Sequence, residues 1–145
     1  MSDEKPKFRG ERLSIYAGVP LALVLGGHDE NRSGRVNEVC DRYLAIVADS
    51  QPRWSQAQWS AVCDALNGCW LRDGDSLRFL WAEVADTEGL GQKWGIDQDE
   101  LVRELREMPM AGKVAVVELV ERFWANSHLD TPAALTAAGV VLRGS

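Results

Sequence analysis

The stretch Arg12-Leu13-Ser14-Ile15-Tyr16 alternates polar with apolar side chains, the period-two pattern of a strand with one buried face. The rest of the chain reads as helix, so this strand has no neighbour in its own sequence. A lone strand of about five or six residues leaves its backbone N–H and C=O groups without partners. A second copy of the chain would supply them, and the segment therefore predicts a dimer whose strands pair.

The punctuation around the strand is explicit. Gly18 and Pro20 end it, and Pro20 suits the first turn of a helix, where its missing N–H would have had no partner. Leu21 to Leu25 forms that short helix and Gly26-Gly27 stops it. Ser33 is the expected N-cap of a longer helix in which Val36, Val39, Cys40, Tyr43, Leu44 and Val47 recur at helical spacing. Arg35, Glu38, Asp41 and Arg42 lie on its other side. Ahead of all this, residues 1–10 are charged, contain Pro6 and Gly10, show no periodicity and read as a flexible arm.

Beyond Asp49 to Pro52, where the pattern breaks, every signal is helical. Ser55 with Gln58 makes a capping box ahead of the stripe Trp59, Val62, Cys63 and Leu66. After the turn at Asp73 to Ser76, Leu77, Leu80, Trp81 and Val84 share one face, and residues 87–95 form a glycine-rich connection. Asp97 with Glu100 predicts a second capping box, for a helix carrying Leu101, Val102 and Leu105. Pro109 restarts the chain into a helix whose expected buried stripe is Val116, Val117, Val120, Phe123 and Trp124. Thr131 as N-cap with Pro132 at the first helical position opens a last short helix, closed by Gly139. The expected fold is mainly α: an arm over 1–10, a module of one strand and two helices over 11–48, and a helical domain over 49–145.

Charge is sorted along the chain. The 145 residues carry a formal net charge of −6, yet residues 1–48 hold seven basic and seven acidic groups, whereas 49–145 hold nine basic and fifteen acidic. Such a balance disfavours a protein that coats nucleic acid nonspecifically. The apolar run Ile15–Gly27 follows Lys5, Lys7, Arg9 and Arg12 but does not read as an export signal. Asp3, Glu4 and Glu11 sit among the basic residues, Pro20 interrupts the run, and Leu25 spoils the small-residue cleavage pattern. The run is also too short to cross a bilayer of ~30 Å at ~1.5 Å per residue. Cytoplasmic residence is expected, with no membrane association.

Catalytic signals are weak. Cys40, Cys63 and Cys69 cannot all pair within one chain and lack the tight spacing of a zinc site, so buried free thiols are expected. His28 and His128, the only histidines, have no cysteine or carboxylate at a spacing that defines a triad or metal site. No catalytic residue, metal or cofactor is implied. Of Trp54, Trp59, Trp70, Trp81, Trp94 and Trp124, most fall on or beside apolar stripes and read as core, while Trp94, in the glycine-rich connection, is the one expected to face a partner.

A strand, a helix, a polar turn and a longer amphipathic helix, in that order, make residues 11–48 resemble the ribbon-helix-helix family of DNA-binding proteins, the group that includes the Arc and MetJ repressors. The resemblance rests on "RLSIYAGVP" as strand and helix entry and on "NRSGRVNEVCDRYL" as the second helix with its start. It implies a homodimer, or a dimer of dimers, whose antiparallel ribbon enters the major groove of double-stranded DNA. Arg12, Ser14 and Tyr16 would then face bases, and Leu13, Ile15, Val36, Val39 and Tyr43 would form the dimer core. The start of the second helix, at Arg32, Ser33, Gly34 and Arg35, would hold a phosphate. On this basis the chain is expected to be a sequence-specific repressor or nucleoprotein-assembly factor. The alternative is an interaction or inhibitor protein that uses the ribbon only for assembly and meets a protein partner through the acidic surface of residues 49–145.

Overall fold

A computed structural model of the protein describes residues 32–69, 71 and 73–144, with Arg32 and Ser33 described in their backbone only. The arm, the strand with Arg12, Leu13, Ser14, Ile15 and Tyr16, and the first helix lie outside the described residues. Among those described there are eight α-helices and no strand. They are α1 (Arg32–Ser50), α2 (Gln56–Ala65), α3 (Gly74–Arg78), α4 (Leu80–Ala85), α5 (Leu90–Trp94), α6 (Gln98–Glu107), α7 (Met110–Ala125) and α8 (Thr131–Ala138). The chain divides into two units, Met1–Cys40 and Asp41–Ser145. In the described part of the first, Val36 and Val39 are half-buried, and Arg35 pairs with Glu38 at 3.4 Å.

The second unit is assembled around the connection between α1 and α2. Val47 sinks the end of α1 into the core, and the buried Gln51 then holds the chain terminus: its Nε2 donates to the Gly139 carbonyl at 3.1 Å and its Oε1 accepts from the Val141 N–H at 2.9 Å. Trp54 follows, fully buried, with its ring 4.8 Å from that of Trp59 in an edge-to-face arrangement. The expected capping box is present in both directions, Gln58 N–H to Ser55 Oγ at 3.2 Å and Ser55 N–H to Gln58 Oε1 at 2.9 Å. It starts α2 one residue after the cap and thereby sets Trp59, Val62 and Cys63 inward.

Three helix boundaries differ from the sequence expectation, each for a local reason. Leu77, Leu80, Trp81 and Val84 do not lie on one helix, because the N–H of Phe79 turns back to the Ser76 carbonyl at 3.2 Å and separates α3 from α4. Leu80 and Val84 are buried, and Trp81 lies half-buried beneath the Arg106 guanidinium, 4.1 Å from the ring centre. The last helix is capped by Asp130, which accepts from the Ala133 N–H at 2.9 Å, so that Thr131 and Pro132 occupy its first two positions. A carboxylate at this place also meets the positive end of the helix dipole, which a threonine hydroxyl does not. The glycine-rich connection contains the five-residue helix α5, framed by Gly89 and Gly95 with φ of 74° and 69°, in the left-handed region.

Long-range order comes from α7, which packs on α8, α3 and α2, while α4 packs on α6 and α2 on α5. Its buried residues are Gly112, Lys113, Ala115, Val116, Leu119, Val120 and Phe123. The stripe is thus rotated from the expected one: Leu119 joins the core, whereas Val117 is half-buried and Trp124 is 37% exposed. At the other end of the unit, the Gln98 amide joins three segments. Its Nε2 donates to the carbonyls of Val84 (2.7 Å) and Thr87 (2.9 Å), and its Oε1 accepts from the Gly91 N–H (3.1 Å). Gly91 is required there, because a Cβ would stand 2.9 Å from the Ile96 carbonyl oxygen.

Replacing Gln98 with Ala should lower the unfolding free energy by about 2–3 kcal/mol, since each of three part-buried bonds contributes about 1 kcal/mol and their partners are left unpaired. Gln98→Glu should cost nearly as much by removing both donors. Urea unfolding of the two variants measures this, and an unchanged midpoint for Gln98→Glu would show that the two carbonyl contacts contribute nothing.

Candidate functional site

One face of α7 is left uncovered by the other described residues. Val114, Val117, Glu118, Glu121 and Trp124 recur at steps of three, one, three and three, which places them on one side of the helix, beside the buried stripe. Opposite stand Leu66, Asn67, Gly68, Cys69 and Leu71 from the end of α2 and the following connection, and Leu77 from α3. Tyr43 of α1 closes one end. Between them runs a groove of about 830 Å³.

Its floor is apolar and its edge carries carboxylates. The Tyr43 hydroxyl donates to Glu118 Oε1 at 2.7 Å, and Arg122 Nε donates to Glu118 Oε2 at 2.9 Å while its Nη1 reaches the Ala138 carbonyl at 3.3 Å. Glu118 is therefore held from both sides. Glu121, one turn along, is exposed and makes no ion pair among the described residues. Glu83 reaches the groove through Cys69, whose Sγ lies 3.5 Å from Glu83 Oε1 and 3.7 Å from the Ala65 carbonyl. Burial, together with the bond to Glu118, raises the Tyr43 phenol well above its ordinary pKa. Burial and the nearby Glu83 also push the Cys69 thiol up. Both groups stay neutral at physiological pH, so the groove offers apolar contact and negative charge rather than a nucleophile.

A smaller cavity of about 240 Å³ lies on the other side of Trp124, lined among others by Ser60, Asp64, Lys93, Trp94, Phe123 and Thr131. Asp64 Oδ2 accepts from Lys93 Nζ at 2.8 Å and from Trp94 Nε1 at 3.0 Å, and these bonds, that of Lys93 foremost, hold its carboxyl below the usual range. Trp94, expected to be free for a partner, is half-buried and bonded within the chain.

The residues singled out in the sequence fall in different places. Arg12, Ser14 and Tyr16, with Leu13 and Ile15, are outside the described residues. Arg32, Ser33, Gly34 and Arg35 form the first turn of α1, so Ser33 lies inside the helix rather than at its N-cap. Tyr43 is 38% exposed, and its hydroxyl is engaged by Glu118 of its own chain. Cys63 is buried as expected and Cys69 half-buried, but Cys40 is exposed. Among the described residues no three histidine, cysteine or acidic side chains are placed to hold a metal ion, and no helix is long and apolar enough to cross a membrane. No protein-family model, curated protein or solved structure matches the chain.

The environments of the three thiols predict their reactivity. Burial, and after it the neighbouring Asp64, pushes Cys63 up to about 12. Alkylation of the native protein at neutral pH should proceed in the order Cys40, Cys69, Cys63, with Cys63 slower by at least about a hundredfold than in the unfolded chain. Mass spectrometry of a time course reads the order, and early labelling of Cys63 would contradict its placement in the core.

Proposed function

We propose that the protein is a dimeric, sequence-specific DNA-binding protein of the cytoplasm, acting as a repressor or nucleoprotein-assembly factor. In this reading residues 11–48 form a ribbon-helix-helix module, in which Arg12, Ser14 and Tyr16 read base edges and the first turn of α1 contacts phosphate. The observation that carries it is α1 itself. A 19-residue amphipathic helix stands where the resemblance puts the family's second helix. Among the described residues its apolar side is incompletely covered, with Val36 and Val39 half-buried and Leu44 50% exposed, which fits a helix that completes its core on a second copy.

A second reading has its own observation. The acidic excess lies wholly in residues 49–145, and the groove on α7 belongs to that part. This supports an interaction protein that assembles through the ribbon and does not bind DNA.

Selection of the full-length protein against a randomised duplex pool at two salt concentrations separates the two. A DNA-binding dimer should enrich a short repeated motif, with affinity falling steeply as salt rises. Arg12→Ala should remove roughly 1–3 kcal/mol of discrimination at one base position while leaving the dimer intact. Leu13→Glu should dissociate the dimer. No enrichment by a well-folded dimer would transfer the assignment to the second reading, and an unchanged mass for Leu13→Glu would refute the ribbon.

A further inference from the structure

We infer that the groove along α7 is a docking site for an amphipathic helix of a partner protein, one that carries lysine or arginine beside its apolar face. This rests on the groove alone and holds whether or not residues 11–48 bind DNA.

The floor sets the first requirement. Val114, Val117, Val120 and Leu66 offer aliphatic surface without a converging set of hydrogen-bonding groups, so what is recognised is a row of apolar side chains and not a polar small molecule. At about 830 Å³, and open to solvent on one side, the groove has room for several such side chains at once. A helix delivers them at positions i, i+3, i+4 and i+7.

The edge sets the second. Among the described residues, Glu118 and Glu121 line the groove and Glu83 stands behind Cys69, while the Arg122 guanidinium beside Glu118 is already engaged by Glu118 and the Ala138 carbonyl. Glu121 is exposed, and no cation among the described residues pairs with it. An anionic occupant, whether nucleic acid, an acidic peptide or a charged membrane surface, would meet like charge. A cationic side chain next to the apolar anchors would meet Glu121 directly. The site is also preorganised: Tyr43 and Arg122 fix Glu118 from opposite sides, so less order has to be imposed on binding.

The test uses the full-length protein and a library of displayed helices with apolar residues at i, i+3, i+4 and i+7 and all residue types at the flanking positions. Clones enriched in lysine and arginine at those flanks are expected. A synthetic peptide made from one should shift the indole N–H resonance of Trp124 and the methyl resonances of Val114 and Val117. Glu121→Lys, on an exposed position that leaves the core intact, should weaken that peptide about tenfold or more and strengthen its glutamate-flanked counterpart. Failure to enrich, enrichment of neutral or acidic flanks, or indifference to Glu121→Lys would overturn the proposal. So would Trp124 signals that change with protein concentration alone, which would identify a second copy as the occupant. The DNA selection is read separately, so either site can fail without the other.

Discussion

The Trp54 indole is the group on which the helical unit depends. It is fully buried, its N–H donates to Glu104 Oε2 at 3.0 Å, its edge meets Trp59, and its carbonyl accepts from the Arg143 N–H at 2.8 Å. One residue thereby ties α2, α6 and the end of the chain together. A buried indole without a partner for its N–H is costly, and Glu104 of α6 supplies that partner for Trp54, whereas the N–H of the neighbouring Trp59 has none among the described residues. Gln51, three residues earlier, anchors the same terminal segment through Gly139 and Val141. α7 packs along α2, α3 and α8 beside this connection.

That position leaves α7 with more apolar surface than the unit can cover. Ala115, Val116, Leu119, Val120 and Phe123 face inward, but Val114, Val117 and Trp124 extend the apolar arc past the core. Trp124 is retained at the edge by its N–H, which donates to the Cys63 carbonyl at 3.0 Å, and by Phe123, whose ring lies 5.1 Å away and nearly perpendicular. Its exposed face thus keeps a fixed orientation. Tyr43 and Arg122 do the same for Glu118, so two of the groove's side chains are held by hydrogen bonds within the chain.

How much of this could be read from the sequence depends on how local the cause is. Two caps were legible, because Ser55 with Gln58 and Asp97 with the Glu100 N–H act over three residues, although at Asp97 the expected box forms only in its side-chain-to-backbone half, and Ser33 lies inside α1. The cap of α8 was misplaced by one residue because Thr131 and Asp130 are both competent cap residues, and only the backbone decides between them. The stripe of α7 was rotated because the helix is apolar around much of its circumference, and periodicity cannot choose a face there without knowing what packs against it. The break at Phe79 gave no glycine or proline to announce it. The groove was not legible at all, since its walls come from residues 43, 66–69, 71, 77 and 114–124, and only tertiary packing brings them together.

The sorting of charge gives both proposed sites a physical basis within one chain. A net charge of −6 argues against DNA binding only if the acidic groups act at the contact. At physiological ionic strength the Debye length is about 8 Å, so exposed carboxylates further than that from a phosphate contribute little to its energy. What would matter at a duplex on the proposed reading is the local set Arg12, Arg32 and Arg35 together with Asp29 and Glu30, which precede Arg32 in sequence, and at the groove the local set Glu83, Glu118 and Glu121. An acidic surface over residues 49–145 would not compete for phosphate with the module proposed over residues 11–48, because like charge excludes phosphate. A cationic helix would be drawn to the proposed groove site by its carboxylates. On the proposed readings the two sites would favour different partners, a phosphate backbone at the first turn of α1 and a cationic helix at the groove.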